Sequence, residues 1–167
     1  GATIEKASDK SYEDYVEQKI FAPLGMTRSM DCTKAEKVTR RASGYGMRSG
    51  RAILVPPIVY TGAQGTGAIC SSAEDVITWL KALHGGKVLK PPSYAEMMTP
   101  ATLNDGTALR SSMGLQIAED GNGRRFIGHS GGGFGYSSVT RWYPEGSLAV
   151  VVLTNSEPDE ITAVTER

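Results

Sequence analysis

The chain has no apolar run long enough to cross a bilayer. Its longest, Leu148 to Leu153, is six residues, against roughly 20 for a membrane helix. Neither charge is in excess, because 18 basic and 18 acidic residues cancel. Basic residues cluster only as pairs, Arg40-Arg41 and Arg124-Arg125. That pattern argues against nucleic acid or an anionic membrane as a partner. No charged-then-apolar leader pattern is visible at the N-terminus. Cysteine and histidine are scarce, two of each. Cys32 and Cys70 define no disulfide framework. One bridge between them is open, but Cys70 lies among Gly67-Ala68-Ile69 and reads as a buried free thiol. Cys32, Cys70, His84 and His129 lack zinc-ligand spacing, so no metal site is expected.

What is present is enough for one domain: 167 residues can bury a core. Three helix starts share one device. Ser11-x-x-Asp14, Ser72-x-x-Asp75 and Ser93-x-x-Glu96 each place a hydroxyl at the N-cap and a carboxylate three residues on. The first of these helices carries Tyr12, Tyr15, Val16 and Ile20 on one face and is expected to stop before Pro23. The second carries Val76, Trp79, Leu80 and Leu83, with Gly85 as its C-cap. The third ends at Pro100. Residues 1 to 8 read as the interior of a helix without a start signal. Between Ser29 and Gly67 periodicity is poor, which predicts a long irregular connection, one wall of a cleft.

From Met113 the pattern alternates with period two. Met113 to Ala118, Arg125 to His129, Tyr136 to Tyr143 and Leu148 to Thr154 read as four strands, with Asp120-Gly121-Asn122-Gly123 as a hairpin turn. Leu148 to Leu153 has no polar face and is expected to be buried on both sides. Ser156 should cap a last helix containing Ile161 and Val164. Helices first and a meander afterwards give an α+β fold, an antiparallel sheet with flanking helices.

Gly128-His129-Ser130-Gly131-Gly132-Gly133 is the most informative stretch. Gly128-x-Ser130-x-Gly132 fits a nucleophile elbow with Ser130 as nucleophile. Such an elbow needs an acid, then a histidine, after the serine, and a helix directly following it. Neither His84 nor His129 follows Ser130, and Tyr136 to Tyr143 is strand-like. His84-Gly85-Gly86 imitates a lipase oxyanion loop but falls at a helix end. The other reading is a strand-borne triplet, His129-Ser130-Gly131, lining the site of a serine acyl-transfer enzyme whose nucleophile lies elsewhere.

Several segments, in order, resemble one family. Ile4-Glu5-Lys6-Ala7-Ser8, Tyr12-Glu13-Asp14-Tyr15-Val16 and Ile20-Phe21-Ala22-Pro23-Leu24-Gly25-Met26 are similar to the mid-region of the serine β-lactamase-like family. Gly65 to Asp75, Met98-Thr99-Pro100, Gly128 to Gly132 and Leu148 to Asn155 resemble its later landmarks. The family comprises class C β-lactamases, DD-peptidases, D-aminopeptidases and related carboxylesterases. Its chemistry uses a Ser-x-x-Lys, a Tyr-x-Asn and a Lys-or-His, Ser-or-Thr, Gly triplet. Only the triplet is here. Thr78-x-x-Lys81 is the nearest approach to the first motif; Tyr45-x-Met47 and Tyr60-x-Gly62 fail the second.

The resemblance implies that residues 1–167 are a single partial domain, the C-terminal portion of a β-lactamase/transpeptidase-like fold. It implies His129, Ser130 and Gly131 as catalytic-site residues, with Gly132 and Gly133 binding substrate. The N–H of Gly132 would be one oxyanion donor, Gly131 would admit substrate backbone, and His129 and Ser130 would face a substrate carboxylate or the tyrosine. No cofactor is implied. The partners expected are a small-molecule or peptide substrate, cleaved at a β-lactam, D-amino-acid peptide or ester bond, and a complementing N-terminal segment or a homo-oligomer. The chain alone is expected to lack hydrolase activity and not to occur as an isolated monomer. A periplasmic or secreted setting follows from the family, a cytoplasmic one being left open. The competing reading is a non-catalytic relative that binds peptides or acts as an interaction module.

Overall fold

The computed structural model describes residues 1–32, 41–56 and 64–157. Helix α1 (Ala2–Ser8) has no side-chain cap at Gly1, as its missing start signal implied. Ser11 caps α2 (Tyr12–Val16) through the Asp14 N–H. The helix does not stop before Pro23. It widens into a π-helical turn, Glu17–Phe21, and continues as α3 (Ala22–Leu24). Proline has no N–H to give the turn below and its ring crowds the carbonyl four residues back. A widened turn immediately before it relieves both conflicts. Gly25, at φ 69°, ends the helix, with Met26 N–H bonding Phe21 O and Gly25 N–H bonding Ala22 O. That pair of bonds is a Schellman closure. Tyr12, Val16, Phe21 and Met26 form one core cluster, with Trp79 packed against it.

The span from Ser29 to Gly67 is less irregular than its composition suggests. Strand β1 (Met30–Asp31) pairs with β4 (Ile69–Cys70). Strands β2 (Tyr45–Arg48) and β3 (Arg51–Leu54) form a hairpin, turning at Ser49 and Gly50 with φ 50° and 75°. Both left-handed residues mark a type I′ turn, and Ser-Gly was its signal. The remainder of that connection, 33–40 and 57–63, lies outside the described residues, as does the expected last helix over Ile161 and Val164.

Cys32 and Cys70 are not free thiols. They form a disulfide across the β1–β4 pair, Cα atoms 5.6 Å apart. The two-residue ladder sets Met30 opposite Cys70 and carries Cys32 on to bond the Ala68 carbonyl through its N–H, so the cysteines are diagonal neighbours on one face of the pair. Sequence spacing carries no trace of that register.

Helix α4 (Ala73–His84) starts at Ser72, whose hydroxyl accepts from the Asp75 N–H. The Asp75 carboxylate does not turn back to close a capping box. It is buried and accepts from the Arg28 N–H at 2.8 Å and the Ser29 hydroxyl at 2.8 Å, tying α4 to the chain before β1. Helix α5 (Pro91–Met97) has Lys90 at its N-cap, three residues before the expected Ser93. Pro91 and Pro92 bring a preset φ, and their missing N–H groups cost nothing in a first turn.

The principal sheet is a five-stranded antiparallel meander, β5-β6-β7-β8-β9. Its strands are β5 (Ser111–Ser112), β6 (Leu115–Glu119), β7 (Arg125–Gly133), β8 (Tyr136–Tyr143) and β9 (Leu148–Thr154). The Asp120 carboxylate holds the β6–β7 turn by accepting from the N–H groups of Asn122 and Arg124. One face carries α4 and α5: Leu80, Ile127 and Trp142 are buried there, with Met98, Ile117 and Val151 packed around them. The other face holds Phe126 and Tyr143, with the Arg141 guanidinium 4.4 Å from the Phe126 ring centre. Strand β9 is not buried on both sides. Leu148 is 50% and Leu153 40% exposed, because β9 ends the sheet among the described residues and meets a neighbour only at β8.

His84 closes α4 against this sheet. Its ring stacks on Trp142 at 4.9 Å and its Nδ1 lies 2.8 Å from the Tyr94 hydroxyl. Burial pushes its pKa down to about 4. The unfolded chain therefore binds this proton more readily than the folded one. The stabilisation is full above the unfolded value near 6.5 and is lost as pH falls toward 4. The ring is only half buried, so about 1–2 kcal/mol is the expected loss. Urea midpoints at pH 7 and pH 4.5 should show it, and His84→Phe, which keeps the stack but cannot titrate, should show less. Equal losses in the two proteins would refute it.

Candidate functional site: the free edge of strand β7

All five predicted site residues lie on one strand. His129, Ser130, Gly131, Gly132 and Gly133 form the second half of β7. Ser130 sits mid-strand opposite Val139, and a strand rather than a helix follows, so Ser130 is not on a nucleophile elbow. The glycine run is extended strand, four residues beyond the expected end at His129.

The two neighbours of β7 do not cover it equally. Strand β8 pairs along it from Ile127 to Gly133. Strand β6 stops at the pair Gln116–Gly128. From His129 onward one edge of β7 has no strand beside it among the described residues. His129, Ser130, Gly131 and Gly132 are exposed.

Backbone parity decides which groups look out from that edge. The Thr140 hydroxyl accepts from the His129 N–H at 3.2 Å and donates to the His129 carbonyl at 3.1 Å. His129 therefore turns both backbone groups toward β8. Alternation along an antiparallel strand then turns those of Ser130 and Gly132 to the free edge. Side-chain parity runs with it. Ile127 packs against α4, so His129 and Gly131 lie on the helix-bearing face, and Ser130 and Gly132 on the other.

Three features that hold this edge escaped the sequence reading. The first is Thr140, which looked like any β-branched strand residue. The second is Gly128: a Cβ there would lie 2.0 Å from the Thr140 carbonyl oxygen. Its signal was an isolated glycine inside a strand pattern, which marks a close backbone approach. The third is the β7–β8 turn, Phe134-Gly135, with φ 59° and 83°. Phenylalanine in the left-handed region is strained by about 1–2 kcal/mol. The turn is clamped from outside. Tyr45 N–H donates to Gly135 O and to Asn155 O, and the Glu157 carboxylate accepts from Gly135 N–H at 3.2 Å. The β2–β3 hairpin is thereby anchored to the end of the candidate edge.

The β-lactamase family model matches residues 1–166. The chain belongs to the β-lactamase family. Among its relatives, penicillin-binding protein 4* of Bacillus subtilis is 29% identical over 93% of this chain and 37% of its own length. A D-aminopeptidase of Brucella anthropi is 28% identical over 92% of this chain and 29% of its own length. Among solved structures, the octameric penicillin-binding protein homologue from Pyrococcus abyssi has a TM-score of 0.76 at 32% identity, covering 92% of this chain and 35% of that one. D-amino acid amidase from Ochrobactrum anthropi SV3 has a TM-score of 0.77 at 26% identity, covering 93% and 47%. This β-lactamase-family chain thus spans about a third of the curated relatives it matches. Its α+β fold with an antiparallel meander is that of the penicillin-binding protein and β-lactamase structures. Among the described residues no helix is long and apolar enough to cross a membrane.

Proposed function

We propose that this chain supplies the substrate-lining strand of a serine acyl-transfer hydrolase acting on D-amino-acid amides and peptides. The observation that carries the reading is the free edge of β7 from His129 to Gly133. A peptide-like substrate can lie along it as an added strand, taking backbone hydrogen bonds without side-chain obstruction from the glycines. The Gly132 N–H, turned outward, would donate to the oxyanion of the tetrahedral intermediate. The second donor and the nucleophile would come from a Ser-x-x-Lys that these residues do not contain. His129 and Ser130 would receive the polar or anionic end of the substrate. Gly131 leaves the helix-bearing face bare beside them. The names of the D-aminopeptidase and the D-amino acid amidase favour D-configured substrates over other acyl donors. The domain is read as one partial unit over 1–167. The octameric state in the name of the Pyrococcus protein supports a homo-oligomer here. A disulfide between Cys32 and Cys70 favours an oxidising compartment, periplasmic or extracellular.

The test is hydrolysis of D-alanine p-nitroanilide by the protein at its full natural length. His129→Ala should lower kcat/KM about a hundredfold, as loss of a group positioned at the reacting centre does, with little change in melting temperature because His129 is exposed. An unchanged kcat/KM would remove His129 from the site. Absence of turnover with amide, ester and β-lactam substrates alike would favour a non-catalytic, peptide-binding relative.

A further inference from the structure

A peptide-like guest on the free edge of β7 lies where β6 would lie if β6 went on. Strand β6 pairs Ile117 with Ile127 and Gln116 with Gly128. The next step of that register sets its first residue, Leu115, level with His129, where the edge opens. Before Leu115 the chain does not follow β7. Met113 and Gly114 turn it into β5, between the paired residues Ser112 and Leu115. Gly114 takes φ 76°, a value that suits glycine. The Ser112 hydroxyl pins the foot of this turn by donating to the carbonyls of Met97 and Thr99, past the end of α5. An added strand sits at the same spacing from β7 as β6 does. The two are therefore collinear, and the end of the guest meets the Met113-Gly114 turn.

Met113 is 60% exposed, more than any other large apolar side chain among the described residues. Of the six methionines, Met26 is buried, while Met30, Met97 and Met98 are half-buried. Met47 is 53% exposed, but it lies on the β2–β3 hairpin, away from His129. An exposed thioether is open to oxidation. The two cysteines do not compete for the oxidant, because they are joined in the disulfide. With hydrogen peroxide the step balances simply. The O–O bond breaks, one oxygen bonds to sulfur, sulfur is oxidised by two electrons and peroxide is reduced to water. The side chain that results is polar and chiral. Packed against a guest, it gives up hydration that the thioether never had.

We propose that Met113 is an oxidative modification site, and that its sulfoxide weakens substrate binding at the free edge. The part of the guest that runs from Gly132 past Ser130 and His129 ends against the turn. Three residues, about 10 Å at the rise of an extended chain, separate His129 from the Gly132 N–H. The turn thus touches the end of the guest and not the reacting carbonyl. Binding is lost equally before and in the transition state, so the effect falls on KM and spares kcat. This inference rests on the acyl-transfer reading above.

The experiment treats the full-length protein with hydrogen peroxide, maps the oxidised methionines by peptide mass spectrometry and measures hydrolysis of tetra-D-alanine. Met113 should oxidise first, together with Met47 and ahead of Met26. KM should then rise about tenfold, the low end for loss of one apolar contact, with kcat unchanged. Methionine sulfoxide reductase should restore KM. Each variant is compared with itself before treatment: Met113→Leu should resist peroxide, and Met47→Leu should respond as the parent does. Met113 left intact while Met47 oxidises, an oxidised Met113 with KM unchanged, or equal inactivation of Met113→Leu would overturn the assignment. Failure of the untreated protein to cleave both tetra-D-alanine and D-alanine p-nitroanilide would refute the acyl-transfer reading, and this inference with it. Cleavage of the anilide alone would remove only this inference.

Discussion

Reducing the Cys32–Cys70 bridge should lower the stability of the fold by about 4 kcal/mol. The bridge closes a loop across a separation of 38 residues, and cross-linking a loop of that length removes close to this much entropy from the unfolded chain. The loop holds the β2–β3 hairpin, which is anchored to the β7–β8 turn through Tyr45. Without the bridge, β1 and β4 hold by one short ladder of two residue pairs. The Asp75 contacts to Arg28 and Ser29 then become the main tie between that segment and α4. Urea denaturation with and without a phosphine reductant measures the difference, and Cys32→Ser with Cys70→Ser should reproduce it. A midpoint indifferent to reductant would mean that the bridge does not form in solution.

Gly128→Ala should cost about 3 kcal/mol, at the top of the range for forcing extra atoms into a packed interior. The added carbon would meet the Thr140 carbonyl oxygen at 2.0 Å, that residue's carbonyl carbon at 3.0 Å and Arg141 Cα at 3.2 Å. All three are backbone, so no rotamer relieves the contact. The strands must separate where Gly128 is flanked on both sides, by Gln116 and by Arg141. For a domain of this size the melting temperature should drop by roughly 6–12 °C. Gly131→Ala is the control. Its Cβ would meet only the Ser138 hydroxyl, at 3.1 Å, and that oxygen can rotate away. A Gly128→Ala protein that melts with the parent would refute the close approach of β7 and β8 on which the placement of His129 depends.

The meander was legible because period-two alternation and turn residues speak locally. Strands Tyr136–Tyr143 and Leu148–Thr154 have the bounds their residues suggest. The α2 and α4 starts were legible because Ser11 and Ser72 cap their own helices. What failed depended on distant partners. The register that joins Cys32 to Cys70, the burial of β9 and the destination of the Asp75 carboxylate are set by neighbours tens of residues away. Pro23 misled because a π-helical turn can absorb a proline that an α-helix rejects. At the candidate site the triplet could be read directly. The absence of β6 beside it could not, because nothing in Leu115 to Glu119 says how far along β7 its pairing runs.

A strand edge left open for one guest is open to others. Bare N–H and C=O groups in a row are a template on which any extended chain, including a second copy, can align. The three consecutive glycines, Gly131–Gly133, bear on this hazard as much as on access. They bring no cross-strand side chains to reward pairing, and they lose more conformational freedom on being fixed than other residues do. A passing strand therefore gains only main-chain bonds from this edge. A molecule that also engages His129 and the groups around it gains more, so the same glycines that admit a substrate make the edge a poor seed for self-association.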